Sequence, residues 1–155
     1  MNFLKILNEN EKKEIERELE EQFGIRNIPG LILRRGEERL FLFSGSFDKK
    51  EIKNLEKIVP VERIGVYFAK LMDGKVKLSI EGTHALKNQI KKNIFELEEN
   101  QVENWMKGQE LLVKTGKRGF LVMKYKNDFL GTGKASEEKI GNFIPKSRRL
   151  KNKNS

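Results

Sequence analysis

Three times in this 155-residue chain a short apolar run meets a polar turn and is answered by a second apolar run. "LILRR" (Leu31 to Arg35) and "RLFLFS" (Arg39 to Ser44) flank "GEE". "VERIGVYFAKLM" runs to Asp73-Gly74 and into "KVKLSIEG", where Val76, Leu78 and Ile80 alternate with Lys75, Lys77 and Ser79 on a solvated face. "GFLVMKY" turns through Asn127-Asp128 into "FLGTGKA". Apolar runs joined by a tight turn are the mark of antiparallel hairpins. A chain that spends this much of its length on hairpins has to segregate its helices on the sheet faces, so the expected class is α+β.

The helices fit between these hairpins. In "NENEKKEIERELEEQF" the residues Ile15, Leu19 and Phe23 fall on one face at i, i+4 and i+8, and Gly24 follows as a stop. Asp48 is placed to cap a second helix to about Ile58, with Ile52 and Leu55 inward, and Thr83 to cap a helical turn in "THALKNQI". From Lys91 onward the elements shorten. "KNIFEL" reads as a strand, "ENQVENWMKG" as a helix stopped by Gly108, "LLVK" as a strand, then the third hairpin, then "KIGNFIP". Short strands with frequent glycine imply a small, partly closed β-barrel. The chain therefore divides into an α+β unit at 1–88, a barrel at 89–150 and a basic mobile tail at 151–155.

Charge is also unevenly placed along the chain. Residues 1–110 hold 20 Lys/Arg and 20 Asp/Glu, whereas residues 111–155 hold 12 and 3. The whole excess of +9 lies in the last third, which points to a polyanion at one end of the molecule.

Several chemistries are excluded within these residues. With no Cys there is neither a thiolate nucleophile nor a disulfide, which fits a reducing cytoplasm. The apolar residues of the N-terminus are interrupted by charge too soon for a membrane span. "GTGK" (Gly131 to Lys134) is not a phosphate loop, because Asp128 stands where the first Gly is required and Ala135 where Ser or Thr must reach Mg²⁺. The single His84 has no Cys partner, and no Ser occupies a nucleophile elbow. The expectation is a cytoplasmic, non-enzymatic protein without catalytic residues, cofactor or metal.

The candidate binding residues are basic. Lys114, Lys117 and Arg118 surround the turn "KTGKRG", and Lys134 leads towards Lys146, Arg148, Arg149 and Lys151. Arg forks onto phosphate and Lys supplies point charge. Pro145 is expected to hold the approach to Arg148 and Arg149 extended, so that their side chains fan along a strand edge. Phe120, Tyr125, Phe129, Phe143 and Trp105 read as core rather than as a stacking platform, which favours structured RNA recognised by shape.

Residues from about 91 to 150 resemble a PUA domain, the RNA-binding pseudo-barrel of pseudouridine synthases and archaeosine transglycosylases. "NWMKGQELLVK", "GFLVMKYKNDFLGTGK" and "IGNFIPKSRRL" carry the likeness. "IGVYFAKLMDGKVKLSIEGTHAL" is similar to the pre-PUA domain of the Nip-type ribosome-biogenesis proteins, and "NFIPKSRR" to the PUA-like region attached to the Nol/Nop/Sun RNA cytosine methyltransferases. The resemblance implies an RNA-binding face built from the short helix, the strand after its glycine and the basic C-terminal strand, with Gly108, Lys114, Lys117, Lys134, Lys146, Arg148 and Arg149 near RNA. "KTGKRG" departs from the Pro-Gly-Val turn that many PUA domains have there. The expected function is binding of structured rRNA or tRNA in ribosome biogenesis or RNA modification, with an RNA methyltransferase or ribosomal proteins as further partners. The alternative is a protein-interaction adaptor for such a methyltransferase or for a pre-ribosomal particle.

Overall fold

A computed structural model of the chain describes residues 4–151. Strands β1 (Leu4–Ile6), β2 (Leu31–Arg35), β3 (Arg39–Phe43), β4 (Val66–Met72) and β5 (Lys75–Leu78) form one antiparallel sheet in sequence order. A second sheet orders β6 (Ile94–Glu96), β7 (Gly119–Tyr125), β8 (Asp128–Ala135) and β9 (Ile140–Asn142), with β6 parallel to β7 and the remaining pairs antiparallel. The helices are α1 (Glu9–Phe23), α2 (Lys49–Glu56), α3 (Val61–Ile64), α4 (Ile80–Ala85) and α5 (Glu99–Met106). The mixture of helices with largely antiparallel sheets is the one the hairpins imply.

Local chemistry sets the helix ends. Asn8 and Glu11 form a capping box at α1, as Asp48 and Glu51 do at α2, each side chain accepting from the other residue's backbone N–H. Gly24 ends α1 in a left-handed turn at φ 80° and donates to the Glu20 carbonyl.

Strand alternation then sorts the core. Ile32, Leu40 and Leu42 face Leu19 and Phe23 of α1, while Leu33 and Phe41 face Ile52 of α2. In β7, Phe120 and Val122 join the α1 cluster across the seam between the sheets, and Leu121 and Met123 turn away to Trp105 of α5. Full burial of a side chain of this size stabilises by about 1.5–3 kcal/mol. The two sheets are therefore held against each other by shared core, not by a linker.

Several expectations need correction. Ser79, not Thr83, caps α4: its hydroxyl accepts from Gly82 N–H, and Ile80 is a helix residue rather than the end of β5. Thr83 sits inside the helix and donates to the Ile80 carbonyl. "LLVK" makes no strand, only a bridge from Leu111 to Ile140. The third turn is Lys126-Asn127, because Tyr125 pairs with Asp128, and Lys126 takes φ 54°. No pairing between described residues closes the second sheet into a barrel. Of the tail foreseen at 151–155, only Lys151 is among the described residues.

The glycines of "GTGK" serve β8. Gly131 is left-handed at φ 84°, where two residues of β8 oppose one of β7, as a bulge requires. A Cβ on Gly133 would overlap Ile140 and the Trp105 ring. His84 is structural, its Nε2 donating to the Phe129 carbonyl at 2.7 Å.

Candidate nucleic-acid interface

The basic residues fall into two groups at different parts of the second sheet. The first is built on the connection between α5 and β7. Lys117 N–H donates to the Thr115 hydroxyl at 3.0 Å and Gly116 takes φ 75°, a tight hydroxyl-stabilised turn that leaves Lys114, Lys117 and Arg118 exposed. Leu112, 88% exposed, stands on the same loop, an apolar surface that the strand reading of "LLVK" does not single out. Lys134 lies on β8 directly across from Phe120, and with Arg118 it borders a cleft of about 250 Å³ shared with Lys75, Glu21 and Asp73 of the first unit.

The second group is the C-terminal segment. Lys146–Arg148 is a 3-10 turn in which Arg148 N–H donates to the Pro145 carbonyl. The extended fan expected after Pro145 is therefore replaced by a turn that sends consecutive arginines to different places. Arg148 reaches across the seam to an ion pair with Glu81 of α4. Arg149 points back to α5, its Nε donating to the Ile144 carbonyl at 2.8 Å while its side chain covers Gly108, which is left-handed at φ 90°. Leu150 N–H donates to the Met106 carbonyl, and Asn142 Nδ2 donates to the carbonyls of Trp105 and Gln109, so the segment is tied to the end of α5.

Lys134 thus stands with Arg118, and not with Lys146, Arg148 and Arg149. Gly108 and Arg149 are brought together, but as a packed pair. Lys114, Lys117, Arg118, Lys134, Lys146 and Lys151 are exposed and have no ion pair to a described acid. Free cations on one module can each neutralise a phosphate.

The solvated position expected for Lys77 is corrected by the structure. Lys77 is half-buried in the seam with its Nζ 4.4 Å from the Phe143 ring centroid. Burial, and then the charge of Lys70, hold its ammonium below the ordinary lysine range. Alternation in "KVKLS" correctly separates two faces, but it cannot say that the polar face is covered by a second sheet.

Comparison with known proteins bears on the C-terminal part most directly. Residues 92–150 match the family described as the methyltransferase RsmF PUA domain. The chain is also 27% identical over 131 residues to the ribosomal RNA small subunit methyltransferase F of Psychromonas ingrahamii. That similarity covers 81% of this chain, so it extends into the first unit, and 26% of the methyltransferase. The chain spans about a quarter of the relative it matches. The expectation of a protein apart from enzymes is corrected by this relative. Excluding nucleophilic and P-loop chemistry within these 155 residues does not exclude it from an enzyme in which similar residues form one part. No described helix is long and apolar enough to cross a membrane. The likeness of residues 1–88 to Nip-type pre-PUA units rests on sequence alone. Residues 92–150 form a PUA-like domain of the RsmF methyltransferase type.

Proposed function

We propose that the chain is an RNA-binding module that engages structured RNA in the service of rRNA methylation. The observation that carries this reading is the set of exposed cations Lys114, Lys117, Arg118, Lys134 and Lys146, concentrated on a unit whose family model is that of a methyltransferase PUA domain. Phosphate contacts position a protein on RNA without reading its sequence. Such a surface suits delivery of a folded rRNA to a modifying centre.

The test is binding to a structured rRNA fragment over a salt series, comparing the wild type with Lys117→Ala/Arg118→Ala/Lys134→Ala. Each lost phosphate contact should lower the salt slope by about 0.7–0.9. Unchanged slope and affinity would sink the assignment.

A second reading has its own observation. Phe47 and Ile58, in the segment that carries α2 and α3, and Val66 at the start of β4 are exposed apolar residues of the first unit, whose 17 Lys/Arg and 15 Asp/Glu nearly balance. We infer from them an adaptor surface for the catalytic part of a methyltransferase. Co-purification with such a domain that survives nuclease, and is lost on Phe47→Ser/Ile58→Ser, supports this role; loss on nuclease alone returns it to RNA binding.

A further inference from the structure

At the seam between the two units, β4, β5 and α4 face β8 and the segment 143–148 across a cleft of about 280 Å³. It lies just below the usual small-molecule range of about 300–1,000 Å³, too small for a duplex and suited to one small planar group. Ile80, Ile144 and Pro145 give it apolar walls, while Tyr67, Lys77 and Arg148 place a phenol and two cations at its border.

One wall residue is out of keeping with its surroundings. Thr132 is 4% exposed, and its hydroxyl has no hydrogen-bond partner among the described residues. An unpaired buried hydroxyl is destabilising. Valine would fill the same strand position without that cost. Rotation about χ1 exchanges the methyl and the hydroxyl of a threonine, so this residue can turn its oxygen to a guest.

The cations are held in a similar state of incomplete satisfaction. Lys77 has given up part of its hydration and rests on the Phe143 ring. Arg148 is paired with Glu81, a half-exposed contact that a phosphate can replace.

We propose that this cleft receives one unpaired nucleotide of the bound RNA, its base between the apolar walls and the Thr132 hydroxyl, its phosphate at Arg148 and Lys77. The proposal rests on the RNA-binding reading above and names the part of the RNA that is distinguished. Anionic head, planar apolar body and one hydrogen-bonding edge are together the chemistry of a nucleotide. Unpaired, splayed-out bases are also what proteins read in structured RNA.

The experiment uses the full chain and two hairpin RNAs with the same stem, one fully paired and one with a single-nucleotide bulge carrying 4-thiouridine. The bulged RNA should bind about tenfold more tightly, and its crosslink should fall on residues 131–132 or 143–148. Thr132→Val should remove threefold to tenfold of that preference, the range of one neutral hydrogen bond. Ser147→Phe, an exposed change at the mouth, should abolish the preference and the crosslink; it carries the test if Thr132→Val disturbs folding. Equal binding of the two hairpins by the wild type, or retention of the preference in both variants, overturns the proposal. If the paired hairpin binds with the expected salt slope but the bulge adds nothing, only the cleft proposal fails. If neither RNA binds, the RNA-binding reading fails with it.

Discussion

Arg149 lies across Gly108, with its Nε bonded to the Ile144 carbonyl and its side chain filling the space where a Cβ on Gly108 would stand. The glycine therefore answers two demands, a left-handed backbone at φ 90° and room for the arginine. Gly108→Ala should cost about 1–3 kcal/mol from the backbone conformation, read as a lower urea midpoint with unchanged m-value. Arg149→Lys should cost less than the glycine change, because it removes one hydrogen bond without straining the chain.

Arg148 behaves differently from its neighbour. Its pair with Glu81 is about half exposed on the arginine side, and such pairs contribute about 0–1 kcal/mol. Glu81→Gln should leave the melting temperature almost unchanged. It frees the guanidinium and removes a negative charge beside the proposed phosphate position, an effect on the order of 1 kcal/mol at contact distance in water. RNA affinity at low salt should rise about fivefold, and in an Arg148→Ala background the gain should shrink to the part that comes from removing the negative charge. A fall in affinity would show that Glu81 positions Arg148 rather than restrains it.

These two arginines mark where sequence reasoning stops. Hairpin periodicity placed β2, β3, β7 and β8 within a residue or two, because side-chain alternation and turn chemistry are local. The cap at Asp48 is equally local. The sequence does not separate Ser79 from Thr83 because both residue types cap well, and what distinguishes Ser79 is tertiary: its N–H and hydroxyl donate to the Phe68 and Tyr67 carbonyls of β4. The basic residues were legible as a set, since charge can be counted. Their division into an Arg118–Lys134 group and an Arg148 group was not, since it depends on the register of β8 and on a 3-10 turn after Pro145 that no periodicity announces. The seam cleft was invisible for the same reason. Lys77 and Thr132 are 55 residues apart and meet only because the two sheets share a core.

Gly133 gives a stringent check on that core. Its Cα faces Ile140 and the ring of Trp105, which is itself fully buried and donates from Nε1 to the Leu130 carbonyl at 2.9 Å. Gly133→Ala should overpack the α5 side of the second sheet and cost about 1–3 kcal/mol, visible in chemical denaturation and in a shift of Trp105 fluorescence. Trp105→Phe relieves the clash but removes the Nε1 hydrogen bond to the Leu130 carbonyl. The two changes should therefore couple, with the double variant more stable than the sum of the single losses predicts.

Lys77 offers the measurement that joins stability to the proposed site. Burial first, and Lys70 second, lower its pKa from the ordinary 10.5, so the folded protein releases this proton at lower pH than the unfolded chain does. Between the folded value and 10.5 the unfolded state binds more protons. The Lys77 contribution therefore grows more favourable as pH rises through the folded value and is complete above the unfolded one. Side-chain ¹³C titration should find Lys77 below the exposed lysines, and Lys70→Gln should bring it partly back up by removing the like charge. Lys77→Met should leave stability at neutral pH unchanged or slightly raised, since it removes a partly desolvated charge, while RNA affinity falls. A Lys77 that titrates with the exposed lysines would mean that the seam is open to water at this point, and the methionine variant would then lose its expected stability.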